Sequence, residues 1–350
     1  MKTAALLLAS LLASPPLTTT APALTAAPDP VTWSVAPATE QGGAKRASFG
    51  FEADPGRELR DSVVVTNFSG AQVTFKLYAN DAVNTPTGGF DLLAGDKKPT
   101  DVGAWIRLAE DSVTIPAGGS ATVPFTLTVP ANGTPGDHTG GIVAALVPAG
   151  NGPVTVENRV GTRVYLRVHG ALVPQLTVTS LTVRHHGRFN PFAGGDVTAQ
   201  YTIRNTGNIR LSVGQGADVT SGTGNRLAGA DGAAVPELLP GQSLTFDTRL
   251  TGVEPLGPIT TNVRITPAAV TGDAYAESLS AAQLGTAQRS TGLWAVPWSQ
   301  IVFLTLLAGL IWMAVEIYRR RRRAHARALA DAVEQGRREA TEESRIKESL

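Results

Sequence analysis

The 350-residue chain contains no cysteine. That excludes a disulfide framework, a thiol nucleophile and a lipid-modified cysteine anchor. Disulfide-free construction is unusual for small eukaryotic extracellular domains and ordinary for the larger exported domains of many bacteria. An excess of charge of one sign is also lacking. The net charge is +1, so nothing global draws the chain to nucleic acid. Histidine is scarce, and of the five only His185 and His186 are adjacent; neighbours on a regular strand point to opposite faces, so this pair cannot chelate one metal there. His138 beside Asp137 reads as part of a turn with no third ligand in view. No Gly-x-Ser-x-Gly elbow and no Gly-rich phosphate loop opening a helix occurs. Ser344-Arg345-Ile346-Lys347 has the spacing of a penicillin-binding nucleophile motif, but it sits in a charged C-terminal segment with no fold around it. No enzyme, cofactor or metal site is expected, although paired carboxylates for glycoside cleavage need only spatial nearness and stay open.

Two hydrophobic runs are present. Lys2, the apolar stretch from Ala4 to Ala13 and the small residues Ala21-Pro22-Ala23 have a secretory signal pattern, so residues 1–23 are expected to be removed. The second run, Leu293 to Val315, carries no charge and is long enough at helical rise to cross a hydrocarbon core. Trp294, Trp298, Trp312 and Tyr318 lie toward its ends, where amphipathic rings prefer the interface. The run Arg319, Arg320, Arg321, Arg322 and Arg323 follows at once. By the positive-inside rule these arginines put the C-terminal tail in the cytoplasm, and they also suit anionic lipid. Charge is segregated accordingly: residues 319–350 hold ten Lys/Arg against six Asp/Glu, and the rest of the chain is net negative. The expected location is the plasma membrane, single-pass, with the N-terminal part outside. The tail's mixed charges have helix-compatible spacing, interrupted at Gly336.

Between these runs the sequence reads as β-structure. Val63–Leu77 alternates apolar and polar residues around Asn67-Phe68-Ser69-Gly70, and Tyr201–Val213 does the same around Asn205-Thr206-Gly207-Asn208. Each is read as an antiparallel hairpin closed by residues that accept positive φ. Asn67-Phe68-Ser69 and Asn132-Gly133-Thr134 also fit the glycosylation sequon, a triplet that arises often by chance. A Pro-Gly turn and an alternating strand follow each copy, at 115–130 and at 239–252, and a further strand follows each of those. In the first copy that strand is continuously apolar from Ile142 to Val147, which marks a central strand. The matched order predicts a mainly β protein: two tandem immunoglobulin-like β-sandwiches, then one transmembrane helix and a basic cytoplasmic tail. The expected boundaries are 1–23 signal peptide, 24–170 first sandwich, 171–270 second sandwich, 271–292 stalk, 293–317 membrane helix and 318–350 tail.

Residues 33–89, with Pro37, Gln41, Phe49, Phe51, Asp54-Pro55-Gly56, the Val65-Thr66-Asn67 hairpin, Asn80, Ala82 and Asn84-Thr85…Gly88, resemble the opening of the WxL-interacting protein family. The likeness continues through Pro130–Leu146 and covers residues 31 to about 170. The layout of signal, two sandwiches, membrane helix and basic tail is also similar to that family. The resemblance implies that the first domain binds peptidoglycan and that the second contacts a protein, either a WxL-domain partner or a host surface protein.

The first copy carries an insertion, residues 78–105, which is polar and bears aromatics; the matching stretch at 214–235 is rich in Gly and Ala. Insertions on rigid sandwiches are where recognition usually sits. Tyr78, Asn80, Asn84, Thr85 and Trp105 are therefore glycan-binding candidates, since aromatic rings stack on sugar faces and amides bond hydroxyls and acetamides. The bland alternative is equally physical: Trp105, in a strand-like Gly103–Leu108, plugs the core, while Asn80, Asn84 and Thr85 pin a turn. The functional expectation is a membrane-anchored surface protein that adheres to peptidoglycan. The alternative is a single-pass receptor or envelope assembly factor that signals or recruits through its tail.

Overall fold

The computed structural model describes residues 30–39, 45–146, 157–254, 257–270 and 284–348, with side chains as far as Thr341. The expected signal peptide and most of the expected stalk lie outside the described residues.

Among the described residues, ten strands and one short helix precede His169: β1 (Trp33–Pro37), β2 (Phe49–Ala53), β3 (Glu58–Asn67), β4 (Val73–Asn84), β5 (Phe90–Leu92), α1 (Val102–Trp105), β6 (Ile106–Leu108), β7 (Ser112–Ile115), β8 (Ser120–Thr128), β9 (Gly136–Leu146) and β10 (Arg159–Val168). They form two sheets, ordered β1-β3-β8-β6 and β2-β10-β9-β4-β5, with β7 beside the start of β4. Only the β2–β10 pair is parallel among the described pairs of this half. Period-two alternation puts Phe75 and Leu77 of β4 and Phe125 and Leu127 of β8 into one core between the sheets, with Phe49 edge-on to Phe125 at 5.0 Å. Each such side chain contributes roughly 1.5–3 kcal/mol by leaving water. The apolar run at Ile142 is indeed in a central strand, and β9 is buried on both faces.

The second half repeats the plan with β11 (Leu176–His186), β12 (Gly195–Asn205), β13 (Leu211–Ser221), β14 (Arg226–Asp231), β15 (Val235–Leu238), β16 (Ser243–Val253), β17 (Gly257–Ala268) and β18 (Ala287–Ala295). Its sheets run β11-β12-β16 and β14-β13-β17-β18, with β15 on β13. Tyr201, Ile203, Leu211 and Leu250 fill a second core. The mainly β class expected from the sequence is what the chain adopts.

The two expected hairpins are not hairpins. β3 and β4 belong to different sheets, as do β12 and β13, so each Asn-containing turn carries the chain across its core. Alternation alone cannot tell these cases apart, because both leave the same face buried. The asparagine decides. Asn67 is fully buried; its amide donates to the carbonyls of Ala71 (2.8 Å), Ile115 (3.1 Å) and Pro116 (3.1 Å), and its oxygen accepts from the Ser69 N–H (3.0 Å) and hydroxyl. Asn205, equally buried, donates to Ile209 (2.8 Å) and Leu238 (3.0 Å) and accepts from Gly207 N–H (3.1 Å). Each side chain therefore satisfies backbone groups of an arch that no ladder reaches. Positive φ plays no part: no described non-glycine residue has one, and neither Gly70 nor Gly207 does. Burial also removes Asn67 as a glycosylation acceptor.

The halves are locked together through one face of the first. Asp137, at the start of β9, accepts two bonds from Arg167 (2.7 and 2.9 Å), and from across the joint the Arg210 N–H (2.9 Å). Arg210 also donates to Glu237 (2.9 Å) and lies 4.0 Å from the Tyr165 ring centre. Asn208 donates to Pro135 and Ala171, both at 2.9 Å. At Gly136 (φ 123°) a Cβ would sit 2.2 Å from the Asn208 carbonyl, so only glycine permits this approach.

Residues 287–292, expected to be stalk, are strand instead. β18 pairs with β17 from Ile265↔Ala287 to Gly257↔Ala295. Its small polar side chains suit an edge strand, whose stability comes from ladder bonds and from the packing of Leu293 and Ala295. Two residues later, after Pro297, α2 (Trp298–Glu348) begins. Proline is tolerated at a helix start and not inside, which explains why the helix opens later than Leu293. One apolar stretch in this helix is long enough to cross a membrane, and none of it is buried against the protein. The helix runs straight through Gly336, whose cost of about 1 kcal/mol is offset by flanking Ala, Glu and Arg.

Candidate functional site

The insertion begins inside β4, turns back after Asn84 to pair β5 with that strand, and continues as a loop to α1 that neighbouring side chains hold. Asn80 and Asp81 point to opposite faces of β4. Asn80 is 1% exposed; its amide donates to the carbonyls of Leu93 (3.2 Å), Ala94 (2.9 Å) and Lys97 (3.1 Å). Asp81, on the core side, accepts from the N–H groups of Thr100 (2.6 Å), Asp101 (2.9 Å) and Gly103 (2.7 Å). One residue thus fixes the near end of the loop and the next fixes its far end, where α1 begins. Gly103 is required there, because a Cβ would lie 2.5 Å from the Asn80 carbonyl carbon.

Trp105 closes α1 instead of lying in a strand, and its half-buried ring sits 4.7 Å from the His138 ring. His138 is buried inside β9, not in a turn. Both of its ring nitrogens face acceptors: Nδ1 the Asp101 carboxylate at 2.6 Å, Nε2 the Thr134 carbonyl at 2.8 Å. Both nitrogens donate only when the ring is protonated. Burial by itself lowers the imidazole's pKa, and the Asp101 carboxylate with the Thr134 carbonyl outweighs it, leaving the group above its ordinary value.

On the outer side of the loop, Tyr78 is half-buried with its hydroxyl 3.3 Å from Glu157 and the Lys76 ammonium 5.8 Å from its ring centre. Burial, first among the causes, raises its pKa. Arg159 braces the loop by donating to the carbonyls of Leu92 and Leu93, both at 2.9 Å.

The five glycan candidates therefore fall into separate roles. Tyr78 and Trp105 present partly exposed rings, that of Trp105 packing against the first core. Asn80 spends its amide on that loop. Asn84 belongs to the joint, donating to the Glu237 carbonyl (2.8 Å) and accepting from the Leu239 N–H (2.9 Å). Thr85 accepts from the Gly89 N–H at 2.9 Å and so pins its own turn. The sequence reasoning singles out neither Asp81 nor Asp101, and it weighs His138 only as a turn residue. Asp81 had a signal: after Phe75, Leu77 and Ala79 it breaks the apolar alternation on the core face. Among the described residues no cluster of three His, Asp or Glu is arranged to hold a metal.

No curated protein matches the chain in sequence. Among solved structures it is similar to the CupB2 chaperone of Pseudomonas aeruginosa, at 13% identity and a TM-score of 0.30 over 71% of this chain and 98% of that one. It is also similar to the CsuC-CsuE chaperone-tip adhesion subunit pre-assembly complex of Acinetobacter baumannii, at 12% identity and a TM-score of 0.33 over 66% of this chain and 93% of that one. Similarities this weak carry nothing about function. The family comparison is direct: residues 33–145, most of the first sandwich, match the model described as WxL Interacting Protein, peptidoglycan binding domain.

Proposed function

We propose that this protein is a single-pass bacterial surface protein whose first sandwich holds cell-wall peptidoglycan non-covalently, while its second is available to a protein partner. The observation that carries the reading is the peptidoglycan-binding family match at 33–145, in a chain that ends in an exposed apolar helix. The helix crosses the plasma membrane with Arg319 to Arg323 on the cytoplasmic side, and both sandwiches lie outside. Glycan contacts fall to Tyr78 and Trp105, whose rings are still accessible, on a loop that Asn80 and Asp81 hold in place before any ligand arrives. Preorganisation of this kind lowers the ordering cost of binding.

The test is sedimentation of the full chain, in detergent micelles, with insoluble peptidoglycan. Saturable co-sedimentation is expected, and Tyr78→Ala or Trp105→Ala weakens it roughly 2- to 12-fold, the equivalent of a ~0.5–1.5 kcal/mol aromatic contact. If the intact chain stays in the supernatant, wall binding is refuted; if both variants bind as wild type, the contact surface lies elsewhere.

A further inference from the structure

The end of the second sandwich that faces α2 carries a patch of exposed apolar surface that the wall-binding reading does not use. The loop between β11 and β12, residues 187–194, exposes Phe189 at 98% and Phe192 at 82%. Such exposure of two phenylalanines on an eight-residue tip is costly in water. The tip is built to present them. Asn190 closes a tight turn, its side chain accepting from the Phe192 N–H (3.0 Å) and its carbonyl from the Ala193 N–H (3.2 Å). Arg188 is tied back to Asp196 at 3.2 Å. The rings therefore project as a consequence of local structure.

Their position says what covers them. Phe192 lies 5.4 Å from Phe303, ring centre to ring centre. Phe303 is in the second turn of the apolar helix, about 7.5 Å along its axis from Trp298 at a rise of 1.5 Å per residue. Trp294 and Trp298, 71% and 70% exposed, lie at the end of β18 and the start of the helix. Between loop and helix lies an open, mainly apolar cavity of about 840 Å³, lined by Phe189, Pro191, Trp294, Trp298, Val302 and Leu306. A ring packed beside the second turn of a membrane-spanning segment occupies the depth of the lipid interface.

We propose that residues 187–194 are a second membrane contact, with Phe189 and Phe192 inserted into the outer leaflet beside α2 and a lipid acyl chain filling the cavity between them. The proposal rests on the reading of α2 as a membrane span. Its consequence is orientational. The loop is at the Gly195 end of β12, and the joint to the first sandwich, through Asn208 and Arg210, is at the Asn205 end, about 35 Å away at 3.3 Å per residue. Two attachments at one end of the second sandwich stop it from swivelling, and the joint passes that fixed orientation to the wall-binding domain.

The absence of native cysteine allows a direct test on the full chain in vesicles of phosphatidylethanolamine and phosphatidylglycerol. Single variants Phe189→Cys and Phe192→Cys receive an environment-sensitive fluorophore, alongside Leu310→Cys within the helix and Phe68→Cys on the exposed arch of the first sandwich. Labels at 189 and 192 should show the blue-shifted emission of the 310 label and be quenched by lipids spin-labelled in the acyl chain, while the label at 68 shows neither. Quenching at 310 with water-like, unquenched emission at 189 and 192 overturns the loop contact and leaves the span intact. Blue-shifted emission at 189 and 192 without lipid quenching also overturns it, since the loop then packs on protein. Loss of quenching at 310 refutes the span itself, and with it the proposal.

Discussion

Replacing Asn67 by aspartate separates an arch clamp from a turn former. Asparagine and aspartate have nearly the same preference for turns, so a residue needed only for turn propensity tolerates the exchange at a cost within ~0.5 kcal/mol. In the observed arch the Asn67 amide instead faces three carbonyls at 2.8–3.1 Å, and that of Ile115 belongs to a fully buried residue. Alanine removes those donors and leaves at least one buried acceptor unpaired, at about 1–3 kcal/mol, plus the loss of the bond from the Ser69 N–H. We expect about 3 kcal/mol for Asn67→Ala. Aspartate keeps the acceptor for Ser69 but turns an oxygen toward the same carbonyls, and its charge is buried without a partner, so its cost at neutral pH should reach ~3–5 kcal/mol. Urea unfolding of the full chain in micelles, followed by tryptophan emission with Trp33 and Trp105 as reporters of the first sandwich, measures both. The order wild type, then Ala, then Asp is the expected result. An Asn67→Asp variant as stable as wild type refutes the clamp. Asn205→Asp should do the same to the second sandwich.

Two further predictions follow from charge. The folded-state pKa of His138 is raised, so its contribution to stability is fully present below the unfolded value of about 6.5 and is lost as pH rises through the folded value. The stability of the first sandwich should therefore fall as pH rises above about 6.5, and His138→Gln should flatten that slope in urea titrations run at a series of pH values; an unchanged slope would rule His138 out as its source. At the joint, Asp137 is 3% exposed at its side chain and faces Arg167 and Arg210. Asp137→Ala removes a buried carboxylate that accepts from Arg167 and Arg210, expected to cost about 3–5 kcal/mol, and should loosen the two sandwiches. Protease cleavage between His169 and Pro174 reports it, and cutting no faster than in wild type would show that the joint does not depend on this carboxylate.

The sequence by itself determined the class of structure and the parts list. Alternation at Phe75 and Leu77 or Phe125 and Leu127 dictates β-strands with one buried face, because the side-chain period of a strand is two. The uncharged run before Arg319 dictates a membrane-length helix, since apolar content and length are local properties. Which sheet a strand joins is not local. Val63–Asn67 and Val73–Leu77 bury the same faces whether they lie side by side or across a core, and only the carbonyls of Ile115 and Pro116, nearly fifty residues away, reveal that Asn67 spans an arch. The same limit governed the candidate site. Composition identified the 78–105 insertion, but Asn84 turned out to bond Glu237 and Leu239 more than 150 residues later, and Asp101, just before α1, met His138 of β9. Residue type states what a side chain can bond; only the folded chain decides which partners come within reach.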